Sequence, residues 1–483
     1  MSKLVMKFGG TSVADGKRIG HVASLAARFS AGNELALVCS AMGDVTDQLV
    51  SITVDARAGA EKAVQTRLAA LRDLHEAALR DAVASPEIAA RVRRKQRETF
   101  GQLEKLTLGS TILKELTPRS RDGILSCGER LSNPIVWGAL LEKGIDAVYM
   151  TGGEAGIMTD DHFGDAAPLM EVTGYQVRET LTPLLAAGKL PVVTGYIGAT
   201  QGGETTTFGR GGSDLTATVI ASSIGADEVW IWSDVDGLMT ADPRTVPEAR
   251  VLSEVSYAEA GEMAIFGAKA LHPRTLEPVA EKGIPVRFKN TFKPDQPGTV
   301  VRQDPTAYPR NIVKSVALVR DVAIITLTGA SMVGRPGSAA RIFDVVARSG
   351  TNILMISQSV SESNISMVVG RAGMQRAVNA LELAMLGGQG RLKQVNYEDD
   401  VSAVAVVGGG MRGARGIAAK VFGAVASAGI NVRMIAQGSS EQNISFVVHE
   451  EQGKDAVRAV HRAFHLEKLN TGRANRSGLR IER

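Results

Sequence analysis

Four segments hold residues whose types and spacing suit phosphate chemistry. Lys7-Phe8-Gly9-Gly10-Thr11-Ser12 closes a short apolar run and precedes a helical stretch. Paired glycines let backbone amides approach anionic oxygens, and a helix N-terminus favours negative charge, so this is either a phosphate cradle or a plain tight turn. It is not a Walker A loop, because Lys7 precedes the glycines. The second segment is Thr205–Asp214, where Gly209, Gly211 and Gly212 surround Arg210. Ser213 or Asp214 falls where a helix N-cap belongs, and Asp214 could equally ligate magnesium or orient a catalytic lysine. The third, Trp232–Arg244, follows an apolar run and could hold a base and ribose, with Asp234 as acceptor. Its Asp-Val-Asp-Gly does not fit an EF-hand, because no acidic residue follows at the required spacing. The fourth, Phe266–Pro273, offers Lys269 as a second phosphate lysine or as an ordinary surface charge. Two further stretches suit a small amino acid: Ser40–Thr46 and Ser126–Ser132. Glu129 could receive an α-ammonium or stand as a first-turn helix charge, and Arg210 could fork onto a carboxylate.

The elements that must position these residues alternate. Apolar runs at Leu4–Phe8, Leu35–Ser40, Ala147–Met150, Leu190–Gly195, Glu228–Trp232 and Pro285–Phe288 are separated by helix-period stretches such as Lys17–Phe29, Val177–Ala187 and Asp214–Ile224. That rhythm predicts an αβα sandwich around a mostly parallel sheet, with a ligand beyond the carboxyl ends of the strands. Ala56–Lys114, rich in Ala, Leu, Arg and Glu, predicts long inserted helices and one lobe of a substrate cleft. Pro294, Pro297, Pro305 and Pro309 punctuate a segment that reads as a linker.

Beyond it, Arg341–Val369 and Lys420–Val448 align without gaps at a fixed offset, since 443 minus 364 and 416 minus 337 both give 79. A repeat of that length, present twice, argues for two copies of a small α+β domain of ferredoxin-like βαββαβ pattern. The expected boundaries are 1–292 for the first domain, 293–314 for the linker, 315–395 and 396–470 for the repeats, and 471–483 for a loose basic tail.

With 483 residues, 44% of them hydrophobic, the chain has ample material for several cores. Two cysteines, Cys39 and Cys127, give no disulfide framework, which points to a reducing, cytoplasmic setting. No apolar window is long enough to span a membrane. The net charge of +4 is a weak bias, and the basic clusters at Arg91–Arg97 and Arg473–Arg483 lack interleaved aromatics. Nucleic acid is therefore not expected as a partner.

In the repeats, an apolar strand, a Gly/Pro turn (Gly334–Gly337; Gly413–Gly416), an amphipathic helix and Gly-x-Asn before the next strand resemble the ACT domain. In order and wording, Lys7–Ser12, Ser40–Thr46, Ser126–Ser132, Gly195–Gly198, Phe208–Asp214, Ser233–Arg244 and Gly267–Pro273, followed by two ACT-like repeats, resemble the aspartokinases of the amino acid kinase superfamily. The resemblance implies an amino acid kinase-like α/β domain followed by two ferredoxin-like ACT domains. It implies phosphorylation of the L-aspartate β-carboxylate by MgATP, with Mg²⁺ carried by the nucleotide and no metal ligand assigned to the protein. By the same resemblance Lys7, Asp214 and Lys269 are catalytic, and Lys7, Gly9, Gly10, Ser12, Ser233, Asp234, Met239, Arg244 and Lys269 serve ATP. Ser40, Thr46, Glu129, Arg210 and Ser213 hold aspartate. Met239 stands where many relatives place an aromatic, and its thioether can still fill an adenine slot.

A regulatory amino acid, threonine or lysine, is implied at the ACT pair, with Met332, Gly334, Gly337, Ser338, Asn352, Ile353, Asn364, Asn431 and Asn443 as candidate contacts. The asparagines also suit ordinary turns. The apolar Ile353-Leu354-Met355 tilts the expectation to threonine. A homo-oligomer, dimer or tetramer, follows from exposed ACT sheet edges. The second repeat leaves no room for a homoserine dehydrogenase, so the monofunctional form is expected. Phosphate cradles alone would also suit a kinase of glutamate, carbamate or a nucleoside monophosphate. An amino-acid sensor with a dead kinase domain would have lost the charged set Lys7, Arg210, Asp214, Asp234 and Lys269, all of which are present.

Overall fold

The computed structural model describes residues 1–265, 273–305, 312–329, 336–361, 363–386 and 394–469. In chain order the elements are β1 (Ser2–Phe8), α1 (Gly16–Ser30), β2 (Asn33–Cys39), α2 (Val45–Arg57), α3 (Glu61–Ala82), α4 (Pro86–Leu113), α5 (Pro118–Leu125), α6 (Cys127–Glu142), β3 (Ala147–Met150), α7 (Met170–Ala186), β4 (Leu190–Thr194), β5 (Ile197–Ala199), β6 (Thr205–Thr207), α8 (Gly212–Ile224) and β7 (Glu228–Ser233). They continue with β8 (Glu254–Ser256), α9 (Tyr257–Ile265), α10 (Glu277–Ala280), β9 (Val286–Asn290), β10 (Thr299–Arg302), β11 (Ser315–Thr328), α11 (Ser338–Arg348), β12 (Ile353–Gln358), β13 (Asn364–Gly370) and α12 (Arg371–Leu381). Last come β14 (Gln394–Val407), α13 (Ile417–Ser427), β15 (Met434–Ala436), β16 (Asn443–His449) and α14 (Gly453–Ala463).

The chain divides into two compact units. The first comprises the described residues of Met1–Leu238, Ser253–Tyr257 and Ala270–Pro305. Its eight-stranded sheet runs β3-β4-β2-β1-β7-β9-β10-β8, parallel at every pairing except β9 with β10. Strands covered on both faces must be apolar at successive positions, and Leu4, Val5, Met6 and Phe8 of β1 are all buried. Leu4, Met6 and Phe8 join a core with α1, α2, α3, α4 and α6, while α7 and α8 pack against β4, β2 and β1. The stretch Ala56–Lys114 is helical as expected, through the end of α2, α3 and α4.

Part of the expected linker at 293–314 is sheet instead. Thr299–Arg302 forms β10, because three successive β-branched residues with a buried Val301 outweigh the flanking prolines.

The second unit comprises the described residues of Met239–Leu252, Ala258–Lys269 and Thr306–Arg483. The expected boundary at 292 is therefore anticipated by two excursions of the earlier chain. Ala241 and Val246 from the first excursion sit in a core with α13, α14 and β16. Within this unit an antiparallel sheet runs β12-β13-β11-β14-β16-β15.

Both central strands serve two lobes. Ser315–Val319 of β11 pairs with Ala403–Val407 of β14, and after a bulge Val322–Thr328 pairs with Gln394–Val401. At the bulge Asp321 adopts φ +58°. One lobe, with the core of Ala323, Ile325, Ile342, Val346, Met367 and Val378, is complete over 322–398 as βαββαβ. The other takes its fourth strand from Ser315–Val319, upstream of the first lobe, so one repeat is nested inside the other. The boundary expected at 395/396 falls inside continuous β14. Among the described residues no helix is long and apolar enough to cross a membrane.

Candidate active site

Strands β4, β2, β1 and β7 are parallel neighbours, so their carboxyl ends open on one edge of the sheet. That edge collects Gly195, Ser40, Gly9-Gly10 and Ser233-Asp234. Loops of small residues can approach closely there. A Cβ on Gly10 would stand 3.0 Å from the carbonyls of Ala41 and Gly43, and one on Gly195 would stand 2.6 Å from the Ser213 side chain.

Lys7, the penultimate residue of β1, points its Nζ to within 2.5 Å of Asp214 Oδ1, both side chains being about a tenth exposed (11% each). Asp214 lies in the first turn of α8, whose N-cap is Gly211 in the left-handed region at φ 75°. Neither Ser213 nor Asp214 is the cap, which leaves the Asp214 carboxylate for Lys7. Gly9 donates its N–H to the Trp232 carbonyl (3.1 Å). Gly10 opens the 3-10 turn Gly10–Val13, whose first amides have no partner inside the turn. Ser12, expected on the nucleotide side, is buried and shares a hydrogen bond with Thr291 Oγ1 (2.6 Å), so its hydroxyl faces the core.

Glu129 occupies the first turn of α6 and is buried. Its Oε1 accepts the Ala41 N–H (3.2 Å), and Oε2 is buried without a protein partner. Burial pushes its carboxyl up to about 8, against the pull of its hydrogen bonds and the Lys7 charge. Such a carboxyl favours its neutral form until a cation beside it compensates the charge. Its helix is fixed to the end of β2 by Ser132, donating to the Ser40 carbonyl, and by Asn133, donating to the Cys39 and Glu129 carbonyls. Thr46 is half-buried in the first turn of α2, and Arg210 is exposed with no ion-pair partner among the described residues.

Sequence reasoning gave no role to Tyr196, which follows β4 with φ 68° and accepts at its carbonyl from Phe208 N–H. A bulky residue in that region is strained, and only the Gly195-Tyr196-Ile197-Gly198 context hinted at a special turn. Ser233 ends β7, and exposed Asp234 follows it. Met239 and Arg244 belong to the second unit, where Arg244 grips Asp242 through two nitrogens. Lys269, Met332 and Gly334 lie outside the described residues.

In the second unit, Gly337 caps α11 at φ 86°, and the equivalent Gly416 caps α13 at φ 82°. Asn352 and Asn431 are exposed, while Ser338, Ile353 and Asn364 are half-buried. The Asn443 amide donates to Glu262 of α9. Among the described residues no three His, Cys, Asp or Glu side chains gather as a metal-ligand set.

The model of the amino acid kinase family matches residues 2–290, and that of the ACT domain matches 325–385 and 404–464. Aspartokinase 1 and aspartokinase 2, both chloroplastic, of Arabidopsis thaliana are 32% and 34% identical to the chain. Each alignment covers 95% of it, and 80% and 84% of the respective relatives. The structure resembles E. coli aspartokinase III in complex with aspartate and ADP (R-state), with a TM-score of 0.81 and 29% identity over 95% of this chain and 99% of that one. The lysine and aspartate complex of the same enzyme (T-state) gives a TM-score of 0.77 at the same identity and coverage.

Proposed function

Because this chain belongs to the amino acid kinase family, and within it to the aspartokinases, we infer that it transfers the γ-phosphoryl group of ATP to the β-carboxylate of L-aspartate. The activity is that of an aspartate kinase, yielding 4-phospho-L-aspartate and ADP, under feedback by an amino acid bound at the ACT domains. The observation that carries the residue-level reading is the Lys7–Asp214 pair beside the Gly9-Gly10 turn, with the unfilled acceptor of Glu129, in the first turn of α6, held at Ala41 beyond β2.

Aspartate's side chain has an ordinary pKa near 3.9, so the nucleophile is already ionised and needs no general base. The protein's task is to bring two anions together and to neutralise charge spreading onto the phosphoryl oxygens. Asp214 fixes the Lys7 ammonium, which keeps further N–H donors for the phosphates. Amides at the start of the Gly10 turn add donors. Glu129 receives the α-ammonium, Arg210 and Ser213 take the α-carboxylate, and Ser40 and Thr46 line the same side. Ser233 and Asp234 serve the nucleoside, joined by Met239, Arg244 and Lys269. This donor set fits a nucleotide that brings its own Mg²⁺: the carboxylate at its centre, Asp214, is already paired with a lysine. When bound, Mg²⁺ neutralises the β- and γ-phosphate oxygens.

Threonine is the effector we favour, on the apolar Ile353-Leu354-Met355 run, with lysine the alternative. A homo-oligomer through the ACT domains fits the edge strands β12 and β15. A cytoplasmic setting is supported by two buried free cysteines.

The test is ADP release with MgATP and L-aspartate, with hydroxylamine present to trap an acyl phosphate, run beside L-glutamate. Hydroxamate from aspartate alone is the expected result. ADP without hydroxamate would overturn the acceptor assignment.

A further inference from the structure

Asp122 has no role in the chemistry above, yet its surroundings are unusual for a carboxylate. It lies on α5, is fully buried, and has no ion-pair partner among the described residues. Three donors hold it instead. Oδ2 accepts the N–H groups of Gly164 and Thr207, each at 2.9 Å, and Oδ1 accepts the Thr207 hydroxyl at 2.9 Å. The carboxylate is thus met by fixed dipoles from two loops, and the three bonds together tie those loops to α5.

Those loops flank one residue. Thr207 ends β6, and the next residues are Phe208, Gly209 and Arg210. A Cβ on Gly209 would stand 3.1 Å from Asp165 Oδ1 and 3.3 Å from the Gly164 carbonyl, so the Gly164 loop lies directly against the turn that carries Arg210. At the other end, the Asp122 carbonyl accepts the Ser126 N–H (2.9 Å), and Ser126 leads straight into α6 and Glu129. Asp122 therefore joins the carrier of Glu129 to the carrier of Arg210.

We propose that Asp122 is a positioning residue for the amino-acid substrate, setting the separation between the ammonium site at Glu129 and the carboxylate site at Arg210. This rests on the reading of Glu129 and Arg210 as substrate contacts. An asparagine has the same shape, but with its oxygen on the two backbone N–H groups its NH₂ meets the Thr207 hydroxyl, which must turn from donor to acceptor, so Asp122→Asn removes the charge and loosens the clamp without opening a cavity.

The experiment compares KM for aspartate, KM for MgATP and melting temperature in the full-length wild type, Asp122→Asn and Thr207→Val. Misplacement of a substrate-holding group by about an ångström is felt strongly, so Asp122→Asn should raise the aspartate KM roughly tenfold or more and leave the MgATP KM within about twofold. Thr207→Val, which removes one donor of three, should move the aspartate KM in the same direction by less. Equal rises in both KM values, or none in either, would overturn the proposal. If Asp122→Asn does not fold, Thr207→Val decides, and an unchanged aspartate KM counts against it. Glu129→Gln and Arg210→Ala run alongside: if they too leave the aspartate KM unchanged, the substrate-site reading itself fails.

Discussion

An ammonium fixed by a carboxylate is a preorganised donor, and its value lies in needing no rearrangement when charge develops on the phosphoryl oxygens. Lys7→Ala should therefore lose about 2.7–4 kcal/mol of transition-state stabilisation, or about a hundred- to thousandfold in kcat. Steady-state ADP release measures it, and turnover within about threefold of wild type would remove Lys7 from the chemistry. Glu129 makes a prediction of a different kind, because burial raises its carboxyl from 4.5 to about 8 in the folded chain. Between those values the folded state binds more protons than the unfolded one, so stability falls as pH rises across that window. Below 4.5 the contribution is fully present, and above about 8 it is gone. Glu129→Gln cannot lose a proton, so its melting temperature should gain on wild type between pH 6 and pH 9. The same group couples aspartate binding to proton release, since an α-ammonium selects the carboxylate. Aspartate KM should fall as pH rises toward about 8 and then level off, and calorimetry in buffers of unlike ionisation enthalpy would count the proton.

Helices and strands obey local patterns, and much at this scale was legible in the chain. The apolar runs ending at Phe8, Ser40, Gly195 and Trp232 became the four strands whose ends carry the candidate site, because a strand buried on both faces has little choice of composition. Two things were not legible. Ser12 and Asp122 owe their roles to Thr291 and to Gly164 and Thr207, partners up to 279 residues distant that no spacing rule connects. The nesting of the ACT lobes escaped for a related reason: a repeat alignment finds equivalent segments but does not say which strand completes which sheet. Ser315–Val319 and Val322–Thr328 read alike as strand, and only pairing separates them. Helix α9 is similar, belonging to the second unit although it directly follows strand β8 of the first. It is held in the second by Glu259, buried, which pairs with buried Lys314 at 2.7 Å and accepts the Gly409 N–H at 2.7 Å. Removing one partner of a buried pair strands the other, so Lys314→Met should cost about 3–5 kcal/mol. Adding Glu259→Leu should return part of that loss, and a double-mutant cycle by denaturant unfolding would measure the coupling.

At the scale of the molecule the chain does not finish one unit before starting the next. It enters the second unit at Met239, returns at Ser253, and leaves again at Ala258. The first excursion carries Met239 and Arg244, both expected at the nucleotide, and is anchored by Thr240. The Thr240 hydroxyl hydrogen-bonds His461 Nε2 at 3.0 Å, and its carbonyl accepts the Val316 N–H at 2.8 Å. Two residues expected at the nucleotide are thus folded into the second unit with α14 and β11, and if they serve the nucleotide, an effector bound in that unit acts on the segment that carries them. Linkage then constrains the outcome: an effector that weakens MgATP or aspartate binding by some factor must itself be bound more weakly by the same factor when that ligand is present. Couplings of this kind are typically about five- to 150-fold. Titrating threonine, and separately lysine, with and without aspartate and MgADP should show heat for one effector and an affinity that drops in the presence of a substrate. A factor of one for every pair would mean that feedback does not act through binding. Thr240→Val removes the hydroxyl bond to His461 while leaving the candidate effector contacts Ser338, Asn352, Ile353 and Asn364 in place. It should keep effector affinity and shrink the coupling to the nucleotide, whereas unchanged coupling would exclude this anchor as the route.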